Sequence, residues 1–443
     1  MTTDNDLLTA KNTPTAASLR KIVISSTIGA VLEWFDFFVF ASLSGLILGR
    51  LFFSPTDPVA EILLGFSTLA VGYFARPLGG LIFGHFGDKL GRKSMLMITI
   101  WLMGLSTVTL GLLPSYSAAG VGATIALVLL RVVQGVAVGG EYGGAALLII
   151  EHSAKSNRRG FYSSWANVGA SMGFLLASAL LSFLTAVTTK EQFETWGWRI
   201  PFLISAVLLL VGSFIRKQIQ DTPEFARLKD SGQEKKKQSI HKVPLLSLIR
   251  KQWRALITAF AVPLTTLVFY QIGLVFITPY ATQHAGYQAS TVLAAISVAQ
   301  LLYIALSVSF AYLSDRIGRR PVIAFGAIGC AVWGFVYFTI LNDGSFPRLL
   351  LAVTGLLFFV AATWGPQAAF QAELFTADVR YSGISAGYQL AGAISGLTPL
   401  IAFAMLSSLG TWLPIAICTA MVAVIGAIGL ATTRETAFEP LKD

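Results

Sequence analysis

Charge is what this sequence has least of for its size. Of 443 residues only 12% are Asp, Glu, Lys or Arg while 55% are hydrophobic, and the mean hydropathy is +0.70. Soluble domains carry about a quarter charged residues, so a water-soluble globular chain is excluded. Cysteine is nearly absent: Cys330 and Cys418 both lie inside apolar runs, without the companions a disulfide framework or thiolate metal site needs, and both read as packing residues. The four histidines do not cluster and no G-x-x-x-x-G-K-[ST] stretch occurs, which argues against a nucleotide-driven pump or a membrane enzyme. The apolar/polar alternation of a membrane β-barrel is also missing.

What is present is a succession of apolar runs of about 20 residues, the length that crosses a bilayer as an α-helix. Read against the charged breaks, they predict twelve helices near 22–49, 59–82, 94–113, 121–150, 161–187 and 198–215, then 253–280, 291–313, 321–341, 348–373, 382–406 and 411–431. The expected fold class is an all-α membrane protein of two six-helix halves, 22–215 and 253–431, with tails at 1–21 and 432–443 and a polar linker at 216–252. The polar lead before the first run is too long and too uncharged for a signal peptide, so the first helix is expected to be retained. The linker carries KDSGQEKKKQ and then VPLLSLIRKQW, either a passive basic spacer or a segment resting on anionic lipid. An even number of helices puts both ends on one side, and that side gathers 26 of the 32 Lys and Arg. Cytoplasmic loops carry such an excess, so both termini are expected in the cytoplasm, and the net +10 calls for a bilayer and not for a nucleic acid.

One charged hinge, Gly84–Lys93 (GHFGDKLGRK), recurs at Ala311–Arg320 as AYLSDRIGRR. Asp88, Gly91, Arg92 and Lys93 answer to Asp315, Gly318, Arg319 and Arg320 at an offset of 227, while Glu151 and Arg158 answer to Glu373 and Arg380 at 222. Such a repeat marks two related halves. Each half thereby places an Asp, a Glu and two Arg at the basic face, where opposite charges can pair when the halves close. These eight residues are expected to form an inner gate.

Charges at membrane depth are not duplicated. Glu33 and Asp36 in the first helix, Arg76 in the second, and Arg131 and Glu141 in the fourth fall within apolar runs, whereas the last six helices hold no charge away from their ends. A charge at helix centre costs about 2.5–3.5 kcal/mol on insertion scales, so the set points to function. Arg131, Gln134 and Tyr142 share a helical stripe, and Asp36 can reach Arg131 near mid-depth, as a fixed ion pair or as a coupling element. Asp36, then Glu33, then Glu141 are the candidates for proton exchange. Asn167 in the fifth helix, with Tyr270, Gln271, Gln300, Tyr303, Gln367, Gln371, Tyr388 and Gln389 in the second half, could orient a cargo or simply bond between helices.

The hinge resembles the loop between the second and third helices of the major facilitator superfamily. EWFDF (Glu33–Phe37), RPLGG (Arg76–Gly80), RVVQGVAVGGEYGG (Arg131–Gly144), WGWRIPF (Trp196–Phe202), DTPEF (Asp221–Phe225) and SDRIGRRP (Ser314–Pro321) together resemble its metabolite:proton symporter family, which includes shikimate, α-ketoglutarate, citrate and proline/betaine carriers. GHFGDKLGRK with GGEYGGAALL is most similar to the shikimate-type branch, with Tyr142 standing where that branch has Trp. The resemblance implies alternating-access uptake of a small carboxylate, such as shikimate or 2-oxoglutarate, with protons. It implies a bacterial-type inner membrane and a monomer whose energy source is the proton gradient, with no cofactor. In such a carrier Arg131 would bind the substrate carboxylate while Asp36 or Glu33 takes a proton. A polyspecific efflux antiporter would be expected to carry proline in its fifth helix, and 161–187 has none. An osmosensing betaine carrier would be expected to have a long coiled-coil tail. Uptake of a zwitterionic osmolyte and a non-transporting receptor or facilitator stay open.

Overall fold

In a bilayer each backbone N–H and C=O must be bonded within the chain, and the described residues meet that demand with helix and no strand. The computed structural model describes residues 16–54, 57–90, 92–139, 150, 158–217, 252–341, 345–377 and 379–441. The long helices of the first half are α1 (Ala16–Leu43, continued by a π-turn at Ser44–Leu48 and by Gly49–Phe52), α2 (Pro58–Leu90), α3 (Arg92–Leu112), α4 (Val121–Gly139), α5 (Arg159–Val187) and α6 (Arg199–Lys217). Those of the second half are α7 (Trp253–Gln271, continued by a π-turn at Ile272–Phe276 and by Ile277–His284), α8 (Ala289–Ile317), α9 (Arg319–Leu341), α10 (Phe346–Leu374), α11 (Arg380–Ser395, resuming as Thr398–Leu409) and α12 (Leu413–Ala431). Eleven are long and apolar enough to span a membrane, and α3 adds the shorter apolar stretch Met97–Leu112. Leu129, Phe183, Leu210, Phe214, Ile328 and Ile428 point outward and are each more than half exposed, as side chains that meet lipid should be. The 216–252 linker lies almost wholly outside the described residues.

Three features differ from the sequence expectation. The hinge is not a loop: α2 runs on to Leu90 and α3 begins at Arg92, just as α8 ends at Ile317 and α9 begins at Arg319. In the second copy the single residue between the helices, Gly318, has φ +104°, a conformation that only glycine adopts cheaply. Second, α11 is interrupted at Gly396, where an added Cβ would meet the ring of Tyr73 from α2 at 2.4 Å. Third, the π-turns of α1 and α7 begin 228 residues apart, at Ser44 and Ile272, so the duplication includes a widened helical turn that no charged motif marks.

The halves meet along a seam in which α5 lies against α8 and α10, and α2 against α11. Within the first half α2 and α4 cross at glycines. A Cβ on Gly79 would stand 1.9 Å from the Val136 carbonyl oxygen, one on Gly135 2.1 Å from that of Gly72, and one on Gly139 1.9 Å from that of Arg76. Glycine inside a helix costs about 1 kcal/mol relative to alanine, and here backbone contact offsets that cost. The crossing sets the Arg76 backbone against Gly139 and the Arg131 guanidinium against Gly72, and both arginine side chains bear on the Phe37 ring of α1.

Candidate substrate site and gate

Two buried guanidiniums dominate the centre of the molecule. Arg76 is 2% exposed and Arg131 1%, and among the described residues neither forms a salt bridge. Aromatic faces take the place of carboxylates: Arg131 lies 3.7 Å above the Phe40 ring and 5.6 Å from Phe37, while Arg76 lies 4.3 Å from Phe37, 4.2 Å from Tyr73 and 5.5 Å from Trp34. Each such contact is worth about 0.5–2 kcal/mol, which softens burial without satisfying the N–H donors. Arg131 Nη1 donates to Gln134 Oε1 at 2.7 Å. Nε and Nη2 of both arginines have no hydrogen-bond partner among the described residues. Even the space beside them is reserved, since a Cβ on Gly72 would stand 2.4 Å from Arg131 Nη2.

The direct Asp36 to Arg131 pair expected from the sequence is not formed. Asp36, itself buried, accepts a hydrogen bond from the Ser205 hydroxyl of α6. Gln134 Nε2 donates to Thr107 Oγ1 of α3 at 2.7 Å, and that hydroxyl donates in turn to the Met103 carbonyl at 2.9 Å. Asp36 is thus tied to α6 and Arg131, through Gln134, to α3. Helical position fixes only which residues share a face, not which neighbouring helix each side chain turns to. Glu33, half-buried, lies within electrostatic reach of Asp36. Glu141 and Tyr142 fall outside the described residues.

The second half faces this charge with neutral groups. Gln271 Nε2 donates to Tyr73 Oη at 2.9 Å, and Gln300 Nε2 to Tyr270 Oη at 2.8 Å. The Tyr270 ring stands 5.9 Å from those of Phe38 and Phe174 across the seam and 5.8 Å from Tyr303. Tyr388 packs against Trp364, and Gln367 is fully buried with neither amide atom bonded among the described residues. Others are seam bonds: Asn167 Nδ2 donates to the Trp364 carbonyl at 2.9 Å and Gln389 Nε2 to that of Gly139 at 3.0 Å. Gln371 instead ties α10 to α7 by donating to the Ala259 carbonyl, a bond within one half.

A family model described as "Sugar (and other) transporter" matches residues 22–443. The chain belongs to that family of the major facilitator superfamily. It is 39% identical over 406 residues to the shikimate transporter of Escherichia coli K12, covering 90% of each chain, and 32% identical over 427 residues to the proline/betaine transporter of the same organism, covering 96% of this chain and 85% of the other. The crystal structure of a D-xylose-proton symporter superposes with a TM-score of 0.73 at 19% identity, over 94% of this chain and 98% of that one; this likeness establishes the fold. The protein is thus a membrane transporter of metabolites and not an enzyme.

On the basic face the transporter's halves are bonded by a network of ion pairs and capped helix ends. Asp315 of α8 accepts hydrogen bonds from the Gly160 and Phe161 amides, both at 2.9 Å, so a carboxylate from one half caps the N-terminus of α5 in the other. Arg319 pairs with Asp315 at 2.7 Å and Glu373 at 3.2 Å, and Arg159 reaches Glu373 at 3.4 Å. Arg159, which the repeat did not single out, belongs to the network, and the neighbouring Arg158 is exposed and lies over the Tyr312 ring at 5.9 Å. Arg380 is buried and donates to the Ala372 carbonyl within its own half. The side chains of Asp88 and Arg92, and all of Glu151, lie outside the described residues.

Sequence reading missed the tail's part in this network. The Glu435 carboxylate accepts from the backbone amides of Arg319 and Arg320, the Thr436 hydroxyl donates to Glu373, and Arg159 Nη2 donates to the Ala437 and Glu439 carbonyls. At the opposite face the seam is also closed. Ser182 Oγ donates to the Ser290 carbonyl, Ser178 and Ser297 share a hydrogen bond, and the Phe66 ring meets that of Phe403. The central arginines are enclosed from both sides.

Proposed function

We propose that this transporter imports a small organic acid, such as shikimate, 2-oxoglutarate or a related carboxylate, together with protons across a bacterial-type inner membrane. Its basic face, with both termini, lies in the cytoplasm, where the Lys and Arg excess belongs. The observation that carries the reading is the pair of buried guanidiniums with unbonded Nε and Nη2 atoms. A buried cation without an anion is costly, and a substrate carboxylate supplies the missing acceptors by charge-assisted, bidentate bonds. As it binds, Asp36 takes up a proton, so loaded and empty carriers cross with similar charge. Gln134, bonded to Arg131 at one end of its amide and to Thr107 at the other, holds the guanidinium in place for the cargo. The halves then rock about the seam to expose the site alternately. One chain contains both sides of the pathway, so a monomer suffices, and the proton gradient is the only energy source required.

A zwitterionic osmolyte is the poorer fit. Its cation would need an open aromatic face, and those of Phe37, Phe40 and Tyr73 are already covered by guanidiniums. The test is uptake into proteoliposomes of labelled shikimate, 2-oxoglutarate, citrate, benzoate and betaine in turn, with an alkaline interior. At least one acid is expected to accumulate and to be displaced by others of the set, with betaine inert. Accumulation of betaine alone, or of none of the five, would overturn the reading.

The network of Asp315, Arg319, Glu373 and Arg159 serves as the inner gate. Removing one member of a buried ion pair costs about 3–5 kcal/mol, enough to shift a two-state equilibrium by a factor of roughly 100 or more. Arg319→Ala is therefore expected to lower transport turnover at least ~10-fold while leaving substrate binding little changed. Lost binding in a normally expressed variant would remove the gate assignment.

A further inference from the structure

We infer that a cavity on the face opposite the inner gate holds a zwitterionic phospholipid headgroup, its phosphate on Arg199 and its amine on Glu191. That face is the outward one on the topology proposed above, and basic residues are scarce there, as in other membrane proteins. They are Arg50, Lys190, Arg199 and Arg348, and three of the four line a single cavity of about 690 Å³. Sites for small molecules have volumes of about 300–1,000 Å³. One wall is Glu191, Thr195 and Arg199, at the entry to α6; a second is Ser115, Tyr116 and Ser117, between α3 and α4; the third is the end of α1 from Arg50 to Ser54. All three belong to the first half.

The charges in the cavity do not all find one another. Arg50 is taken up by Glu61 at 3.0 Å and Glu194 at 2.7 Å, and Lys190 stands 4.0 Å from Glu194. Arg199 forms no salt bridge among the described residues; it is fixed by donating to the Thr195 and Leu113 carbonyls at 2.6 and 3.1 Å. The Glu191 carboxylate is in no salt bridge there either. One cation and one anion are left over, which matches a zwitterion. A purely anionic headgroup would set its charge beside Glu191 and give that carboxylate nothing to hold. The hydroxyls of Ser115, Tyr116 and Ser117 supply neutral donors for the other phosphate oxygens. Depth points to a lipid as the source. Leu112, Val121 and Val187, the apolar ends of α3, α4 and α5, are each more than half exposed, and the cavity begins just beyond them. Trp196, 47% exposed, stands between Glu191 and Arg199, at the level where tryptophan meets headgroups.

The experiment is thermal unfolding of the delipidated full-length protein in detergent, titrated in turn with phosphatidylethanolamine, phosphatidylglycerol, phosphatidylcholine and glycerophosphoethanolamine, which is the first headgroup without its chains. A ligand of the folded state raises the unfolding midpoint. Phosphatidylethanolamine is expected to do so at ~10-fold lower concentration than phosphatidylglycerol, which has no amine, or phosphatidylcholine, whose amine has no N–H to donate. Arg199→Gln and Glu191→Gln should each erase that preference, which lipid packed loosely around the helices would not lose. Equal or better stabilisation by phosphatidylglycerol, or a preference that both variants keep, overturns the inference. Equal potency of the chain-free headgroup overturns the lipid as its source. Should Arg199→Gln fold poorly, Glu191→Gln decides the matter, because the side chain it alters is exposed. None of these outcomes depends on which cargo is carried.

Discussion

Asp36→Asn is expected to abolish accumulation driven by an imposed pH gradient while sparing exchange of labelled for unlabelled substrate across the same membrane. Asparagine keeps the shape of the side chain and can still accept from Ser205, so the packing of α1 against α6 should survive. It cannot carry a proton. Exchange needs no net proton movement, and accumulation does, so the two assays separate a coupling residue from a merely structural one. Asp36 pairs with no cation among the described residues, so its protonation breaks no ion pair there. Gradient-driven accumulation should fall at least ~100-fold, to the level of equilibration. If it persists in Asp36→Asn and in Glu33→Gln, the proton path lies elsewhere, with Glu141 the next to test.

Arg131→Lys is expected to weaken substrate binding about as severely as Arg131→Ala. The guanidinium does three things at once: its plane lies on Phe40, Nη1 holds Gln134, and Nε with Nη2 remain for a ligand. An ammonium is a point charge on a flexible stem and cannot meet all three. Each charge-assisted hydrogen bond is worth about 1.5–3 kcal/mol, so losing one or two predicts a rise in Kd of roughly 10- to 10,000-fold, read by equilibrium binding. Arg76→Lys, stacked on Phe37 and Tyr73, should follow the same pattern. Retained affinity in Arg131→Ala would point instead to a neutral or zwitterionic cargo held by the polar groups of α7, α8, α10 and α11.

The helices, the duplication of the hinge and the confinement of deep charge to the first half were all legible in the sequence, because each depends on composition along the chain. What depends on rotation about a helix axis was not. The sequence allows Asp36 and Arg131 to pair, yet Asp36 turns to Ser205 of α6 and Arg131 to Gln134 of its own helix. Thr107 and Ser205 carry no signal in a sequence rich in Thr and Ser at helix interiors. Arg76 was visible as a buried charge, yet its partnership with Arg131 rests on backbone contacts between α2 and α4 that only coordinates reveal. Arg159 escaped the repeat because at the 222 offset it answers to Tyr381 and not to a charge. Glu435 and Thr436 escaped notice because a short polar tail after the last helix looks like solvent-exposed chain.

The glycine crossing of α2 and α4 has a thermodynamic consequence. Backbones in contact at three levels cannot splay or slide independently, so Arg76 and Arg131 travel as one strut, and the spacing of their guanidiniums is the same whichever compartment they face. A grip that does not change shape confers no direction. Under the proposed coupling, the bias between loading and release comes from the occupancy of Asp36 by a proton, set by the pH on either side. Inverting that difference would make the same molecule run as an exporter, with its clamp unaltered.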